Sequence, residues 1–386
     1  MNDRKLILDV DTGIDDALAL AYLATFPNVD LLGVIGTYGN VAVDTAVRNT
    51  TYALERLRLQ HVPVLQGASH PSWADCFIPD AGCAQFHGPD GLGGFGPNPS
   101  RGEYVDHALQ PSFQPVSSEI TAVDSARIVS VGGYALDDPH ANPATHGPLS
   151  PMRETASASS PAMDENTLLS NGTRFIIEQV RQYGTDVTVV ATGPLTNVDA
   201  ALREAPDIAE KLKLVLMGGT LTQEGNCWDL TAETNIIQDP EAADRVFHSG
   251  ADITMVGLDV THQCLMGKSV TARWRGSELG DFLANLADFS IAANLKSDAR
   301  LFSGGMPLHD PLAAAVALDE TLVSCFDLPM KVETKSGDLH GTRGRTVGDP
   351  EGLINSKAPR VHVALQVDHS RFVDDFATRL TNLVHR

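Results

Sequence analysis

Positive charge is short in this 386-residue chain: 28 Lys and Arg stand against 49 Asp and Glu, a net charge of −21. So acidic a surface repels phosphate backbones and anionic lipid, which excludes nucleic acid and membrane surfaces as partners and leaves small neutral or cationic ligands. Cysteine is scarce as well. The five cysteines, at 76, 83, 227, 264 and 325, are odd in number and contain no C-x-x-C pair. That excludes a zinc ribbon and fits a reducing compartment, where Cys76 and Cys83 are expected to stay thiols. Long apolar runs are missing: none approaches the roughly 18 residues of a membrane span, and the first residues pass from charge straight into a strand with no apolar leader region. The expectation is a soluble, cytoplasmic protein. Hydrophobic residues still reach 42%, enough for one large core or two smaller ones.

What the chain does have is concentrated near its start. Leu6-Ile7-Leu8-Asp9-Val10-Asp11-Thr12-Gly13-Ile14-Asp15-Asp16 is an apolar strand that runs into four carboxylates within eight residues. Strand alternation places Leu6, Leu8 and Val10 on one face and Ile7, Asp9 and Asp11 on the other. Gly13 allows a tight turn into a helix whose apolar residues Ile14, Ala17, Leu18 and Ala21 recur at helical spacing, so Asp15 and Asp16 fall in its first turn. A helix N-terminus favours negative charge by only about 0.3–1 kcal/mol, whereas two carboxylates roughly 4 Å apart repel by about 4 kcal/mol at an effective dielectric of about 20. A cation is needed to balance the cluster, and oxygen-only ligands favour a hard ion, Ca²⁺ or Mg²⁺, over zinc. The plainer reading, with Asp15 capping the helix and the others solvated, suits any one aspartate better than all four.

Further strands are predicted at 29–36, 63–67, 187–192, 214–217 and 253–258, with helices at about 43–58, 165–183, 196–204, 240–249, 278–296 and 308–318. This alternation predicts right-handed parallel crossovers: an α/β fold with an open, mostly parallel Rossmann-like sheet flanked by helices and an active site at the C-terminal strand ends. Two more strands, 329–334 and 360–367, and a helix at 370–384 complete the chain. The glycine-rich stretch Phe86-His87-Gly88-Pro89-Asp90-Gly91-Leu92-Gly93-Gly94, within an irregular segment 68–96, reads as a covering loop. Nine of the 22 prolines fall between 97 and 163, beside the small-residue run 155–160. That segment reads as a partly disordered surface insertion, with room for one strand at 126–134, in an otherwise single domain 1–386.

Taken together, Asp9-Val10-Asp11-Thr12-Gly13-Ile14-Asp15-Asp16, Thr192-Gly193-Pro194-Leu195-Thr196-Asn197, Met217-Gly218-Gly219, Glu233-Thr234-Asn235 and His309-Asp310-Pro311 resemble, in order, the motifs of the inosine-uridine-preferring nucleoside hydrolases. The likeness spans 5–96 and about 165–386 and is interrupted only by the insertion. The resemblance implies hydrolysis of the N-glycosidic bond of ribonucleosides with a bound Ca²⁺, in a homodimer or homotetramer. It implies Asp11, Asp16, Asp310 and the Thr192 carbonyl as calcium ligands, with Asp11 also the base that activates the bound water. Asp15, Asp310, Asn40 and Asn235 would hold the ribose 2′- and 3′-hydroxyls, Glu233 and Asn226 the 5′-hydroxyl, and Met217 would lie near the sugar. His309 would be the acid toward the leaving base, and His87 would approach the base from the covering loop. Asp259 and His262 also fit the pattern and are expected to make structural hydrogen bonds, and single tryptophans such as Trp73, Trp228 and Trp274 are more often core or rim than base platforms.

Two other functions share parts of this pattern. Haloacid-dehalogenase-like phosphatases also begin with a strand ending Asp-x-Asp, but they expect Thr or Val where Gly13 stands, and a late acidic pair that Gly348-Asp349-Pro350 supplies poorly. A calcium-dependent nucleoside-binding protein without turnover is the other alternative; Asp11 and His309 are both present to argue against it.

Overall fold

The computed structural model describes residues 4–97, 169–227, 230–335 and 341–386. The elements below belong to one compact unit, Met1–Tyr104 with Ser170–Arg386. The expected insertion, beyond Pro97, and its suggested strand at 126–134 lie outside the described residues, as does Trp228.

In chain order the strands are β1 (Arg4–Val10), β2 (Val29–Gly36), β3 (Val64–Gln66), β4 (Val187–Ala191), β5 (Lys213–Met217), β6 (Asp252–Val256), β7 (Leu265–Met266), β8 (Met306–Pro307), β9 (Val323–Leu328), β10 (Met330–Val332), β11 (Thr346–Gly348) and β12 (Val361–Val367). Eight of them form the main sheet in the order β3-β2-β1-β4-β5-β6-β12-β9. Every neighbouring pair in it is parallel except β12 with β9. This is the open, mostly parallel α/β sheet that the sequence predicts.

Alternation along β1 decides which layer each side chain joins. Leu6, Leu8 and Val10 enter an apolar cluster with the helices Ile14–Leu23, His309–Leu318 and His369–Val384, while Ile7 enters a second cluster with Asn171–Tyr183, Thr196–Glu204 and Pro240–Phe247. A parallel sheet covered on both faces needs apolar residues at nearly every strand position, which accounts for the continuous runs in β1, β4 and β5. The Ile14–Leu23 helix goes further than its amphipathic spacing: all ten of its residues are buried. The sheet on one side and the helices on the other leave Asp16 fully buried and Asp15 nearly so, and the plainer reading of a solvated cluster fails.

Three elements depart from the sequence prediction. The strand expected at 329–334 is β10, which pairs with β11 outside the main sheet. The antiparallel edge position is filled instead by β9, whose four central residues are exposed; a strand with one partner and a wet face carries no buried pattern to read. The segment 68–96 contains a helix, Ala81–His87, capped by Asp80 through its bond from Gly82 N at 2.8 Å.

Candidate active site

The strand order reverses at β1, which has β2 on one side and β4 on the other. Crossovers on the two sides run to opposite faces there, opening a crevice at the carboxyl ends. Asp11 follows β1, Asn40 follows β2, Thr192 follows β4 and Gly218 follows β5, so residues distant in sequence converge on one spot.

Each aspartate of the opening cluster is held differently. Asp11 Oδ2 accepts from the Asn40 backbone N–H at 2.8 Å and Oδ1 from Asn40 Nδ2 at 2.9 Å, a two-point clamp. Asp16 Oδ2 accepts from Gly13 N at 2.7 Å and its Oδ1 from the Thr192 hydroxyl at 2.6 Å. Asp15 Oδ1 is buried without a hydrogen-bond partner among the described residues. Asp15, Asp16 and Asp310 each bring one carboxylate oxygen within 4.8 Å of the others, and all three are buried. That trio includes Asp15, which the resemblance assigns to ribose, and not Asp11, whose two oxygens Asn40 takes.

Burial pushes all four carboxyls up, and repulsion between neighbours adds to it at Asp11, Asp16 and Asp310. Burial first, then the charge of Asp16, raises Asp11 well above the carboxylate range, and burial followed by Asp15, Asp16 and Asp11 does the same to Asp310. Asp15 and Asp16 are raised to about 6, mainly by burial. Among the described residues, no lysine or arginine is a leading cause of any of these shifts. Four buried carboxylates, with an orphaned oxygen and, among the described residues, no lysine or arginine among the leading causes of their shifts, fit a hard, oxygen-seeking divalent ion, which would lower every one of them.

Asp9 stands behind this layer. Its Oδ1 accepts from Asn197 Nδ2 at 2.9 Å, and Asn197 Oδ1 accepts from Ala68 N at 2.8 Å. One amide thus ties β1 to the loop after β3. Burial raises the Asp9 carboxyl to about 7, countered only by Asn197. The sequence motif contains Asn197, but nothing in the sequence shows that Asp9 is its partner.

Burial disfavours the charged form of both histidine rings. His87 Nδ1 accepts from Ile14 N at 3.1 Å and lies 3.6 Å from Asp15 Oδ1; burial lowers the ring to about 4, with Asp16 opposing. His309 Nδ1 meets the Thr261 hydroxyl at 2.8 Å. Burial and then the neighbouring rings of His262 and His87 hold it well below the usual histidine range. The glycine-rich loop is pinned rather than loose: Asn49 Nδ2 donates to the carbonyls of both Thr12 and Asp90, and the Asp90 carboxylate gathers the amides of Leu92, Gly94 and Gly96. The loop and the aspartate turn are therefore tied together.

On the far side, Asn235 Nδ2 donates to the carbonyls of Thr192 at 2.8 Å and Met217 at 3.1 Å, bridging the ends of β4 and β5. Glu233 caps the Thr234–Gln238 helix, its carboxylate accepting from the amides of Gly219, Asn235 and Ile236; burial nevertheless raises it to about 7. Asn226 is exposed and closes the loop on Thr234, through its N–H at 2.9 Å and its hydroxyl at 3.0 Å. Among the described residues no hydrogen bond joins Asn226 to Glu233. Asp259 makes structural bonds, as expected, accepting from Leu221 N, Thr222 N and the Thr222 hydroxyl. Trp274 is buried in the core and Trp73 is exposed, donating to the Gln238 carbonyl. Arg345 carries no sequence signal at all, yet its guanidinium spans the carbonyls of Leu221, Gln223 and Thr231, each at 2.9 Å.

Comparison with known proteins agrees with this geometry. A family profile described as "Inosine-uridine preferring nucleoside hydrolase" matches residues 6–374. The chain is 32% identical over 378 residues to the pyrimidine-specific ribonucleoside hydrolase RihA of Enterobacter sp. (strain 638), covering 97% of each chain. Among solved structures it is similar to the purine-preferring ribonucleoside hydrolase from Gardnerella vaginalis, with 37% identity, a TM-score of 0.74 and coverage of 98% of this chain and 99% of that one. It also superposes on a plant nucleoside hydrolase, PpNRh1, with 26% identity, a TM-score of 0.72 and the same coverage. No helix among the described residues is long and apolar enough to cross a membrane. With the converging carboxylates, the matched motifs and similarity along nearly its whole length, the chain belongs to the inosine-uridine preferring nucleoside hydrolase family and is a nucleoside hydrolase.

Proposed function

We propose that this nucleoside hydrolase works on ribonucleosides with calcium held by Asp11, Asp16, Asp310 and the Thr192 carbonyl, with Asp15 turned to the ribose. The observation that supports the reading is the set of four buried carboxylates, Asp11, Asp15, Asp16 and Asp310, gathered at the sheet's switch point and raised by burial. When bound, the ion would supply charge balance and a fixed seat for water and the ribose hydroxyls.

Asp11 takes the proton of the attacking water while the water oxygen bonds to C1′. The C1′–N bond breaks with its electron pair on the base nitrogen, and His309 donates a proton there, leaving ribose and free base. Positive charge builds on the sugar in the oxocarbenium-like transition state, so the carboxylates around it stabilise that state more than the neutral substrate. Attack by water on the face opposite the base inverts C1′. Asn40 and Asn235 hold the 2′- and 3′-hydroxyls, Met217 lines the sugar, His87 approaches the base, and Glu233 with Asn226 reads the 5′-hydroxyl. A carboxylate there disfavours a 5′-phosphate, so uridine is preferred to its monophosphate. The reading extends to a cytoplasmic homodimer or homotetramer.

The test is ribose release from uridine and inosine, with and without a calcium chelator, in the wild type and in Asp11→Asn. Expected are activity that chelation removes and calcium restores, and an Asp11→Asn variant that binds calcium but turns over at least about 100-fold more slowly. Phosphate release from monophosphates, or binding of nucleosides without turnover, would replace this reading with one of the two alternatives.

A further inference from the structure

Asn49 sits in the helix Val43–Arg56 and is buried. A side-chain amide has two hydrogens on one nitrogen, and Asn49 spends both: Nδ2 donates to the Thr12 carbonyl at 3.2 Å and to the Asp90 carbonyl at 2.8 Å. Thr12 lies between Asp11 and Gly13 in the aspartate turn, and Asp90 follows His87 by three residues in the glycine-rich loop. One nitrogen therefore joins the turn that carries the carboxylates to the loop that carries His87.

The two ends are not equally secured. Thr50, the next residue of the helix, donates its hydroxyl to the Ala46 carbonyl at 2.8 Å, so at 2.6 Å it accepts from the Thr12 hydroxyl. The turn thus has a second tie to the helix. The Asp90 carbonyl accepts from no other group among the described residues. Bonds inside the loop, from Gly93 N to the His87 carbonyl at 2.7 Å and from Gly91 N to the Gly88 carbonyl at 3.0 Å, pass a displacement of Asp90 on to His87. Gly91 marks how closely the loop is drawn in: its φ is +80°, and a β-carbon there would lie 2.8 Å from Asn49 Nδ2.

We propose that Asn49 is a positioning residue for base recognition: its amide holds the glycine-rich loop at a fixed distance from the aspartate turn and so sets where His87 meets the base. The inference rests on the reading of His87 as a base contact. Loss of the amide releases the loop and leaves the ribose side in place, because Thr50 still holds Thr12.

Ribose separates the two sides, since it fills the sugar site and has no base. Asn49→Ala is expected to raise KM for uridine and inosine about 10-fold, with kcat and the inhibition constant of ribose each within about 3-fold of the wild type. Asn49→Asp keeps the size but sets oxygen against two carbonyls, so its KM should rise further than that of the alanine variant. Gly91→Ala pushes the loop off an intact Asn49 and should show the same split between nucleoside and ribose. By hydrogen exchange, the amides of 88–96 should lose protection in Asn49→Ala while those of Val43–Arg56 keep it.

A ribose inhibition constant that rises in step with KM, an unchanged KM in Asn49→Ala, or an Asn49→Asp variant that matches the wild type would each overturn the inference. If Asn49→Ala does not fold, Gly91→Ala decides. His87→Ala separates this inference from the reading beneath it: a raised KM there beside an unchanged one in Asn49→Ala overturns the inference alone, and an unchanged KM in both overturns the base contact as well.

Discussion

The Thr192 hydroxyl donates to Asp16 Oδ1 over 2.6 Å, so a carboxylate in the first helix is oriented by a residue 176 positions further along the chain. Partners of metal-binding carboxylates typically account for about 10–100-fold in metal affinity. Thr192→Val should therefore weaken calcium binding by about that factor while leaving the far-UV spectrum unchanged. Isothermal titration measures it. Undiminished affinity would mean that Gly13 N–H alone orients Asp16.

Gly13 sits where a β-carbon would overlap His87 Nδ1 and come within 2.8 Å of Asn40 Nδ2. Asn40 is the clamp on Asp11, and His87 is docked on the next residue, Ile14. Gly13→Ala is expected to displace both side chains and to lower kcat/KM by more than about 10-fold, since a small misplacement of reacting groups is amplified in the rate. Steady-state kinetics on uridine and inosine would show it, and a rate within a factor of about two of the wild type would show that the turn yields without cost.

Stability should change sign in its pH dependence with metal. Burial raises Asp9 and Glu233 to about 7 and Asp15 and Asp16 to about 6. In the unfolded chain such groups titrate near 4. Between these values the unfolded chain gives up protons first, so stability present below about pH 4 is lost as pH rises through 6 to 7. Chelated protein should melt at a lower temperature at pH 7.5 than at pH 5. Calcium favours the ionised carboxylates, so its increment in Tm should be larger at pH 7.5. Calorimetry at the two pH values, with chelator and with excess calcium, tests both signs.

Arg345 joins both limbs of the loop that carries Asn226, through Leu221 and Gln223 on one side and Thr231 on the other. Thr346 adds bonds to the N–H and carbonyl of Thr220. Arg345→Ala should loosen the loop and raise KM for nucleosides several-fold with less effect on kcat. Equal KM values in the two proteins would show that the loop holds its shape without the guanidinium.

Much of the layer order is written locally. Apolar runs in β1, β4, β5 and β6, and the aspartate turn ending at Gly13, carry their own periodicity, and the motifs carry Asp11, Asp15, Asp16, Thr192, Asn235, His309 and Asp310. Edge strand β9 was not legible because an exposed strand with one partner needs no buried pattern. Thr261, Asn49 and Arg345 were not legible because each acts on a residue far away in sequence through a single hydroxyl, amide or guanidinium, and such groups have no periodicity.

By itself the sequence placed four aspartates at one strand end, predicted a mostly parallel sheet flanked by helices, and gave the expectation of a cation to balance the charge. Only the tertiary structure decided how those aspartates divide. Asp11 is clamped by Asn40, Asp16 by Thr192, Asp9 is drawn back to Asn197, and Asp15 joins Asp16 and Asp310 with one oxygen left bare. The physical reason is that strand and helix periodicity is set by neighbours along the chain, whereas the partner of a buried carboxylate is set by which strand end the sheet brings beside it.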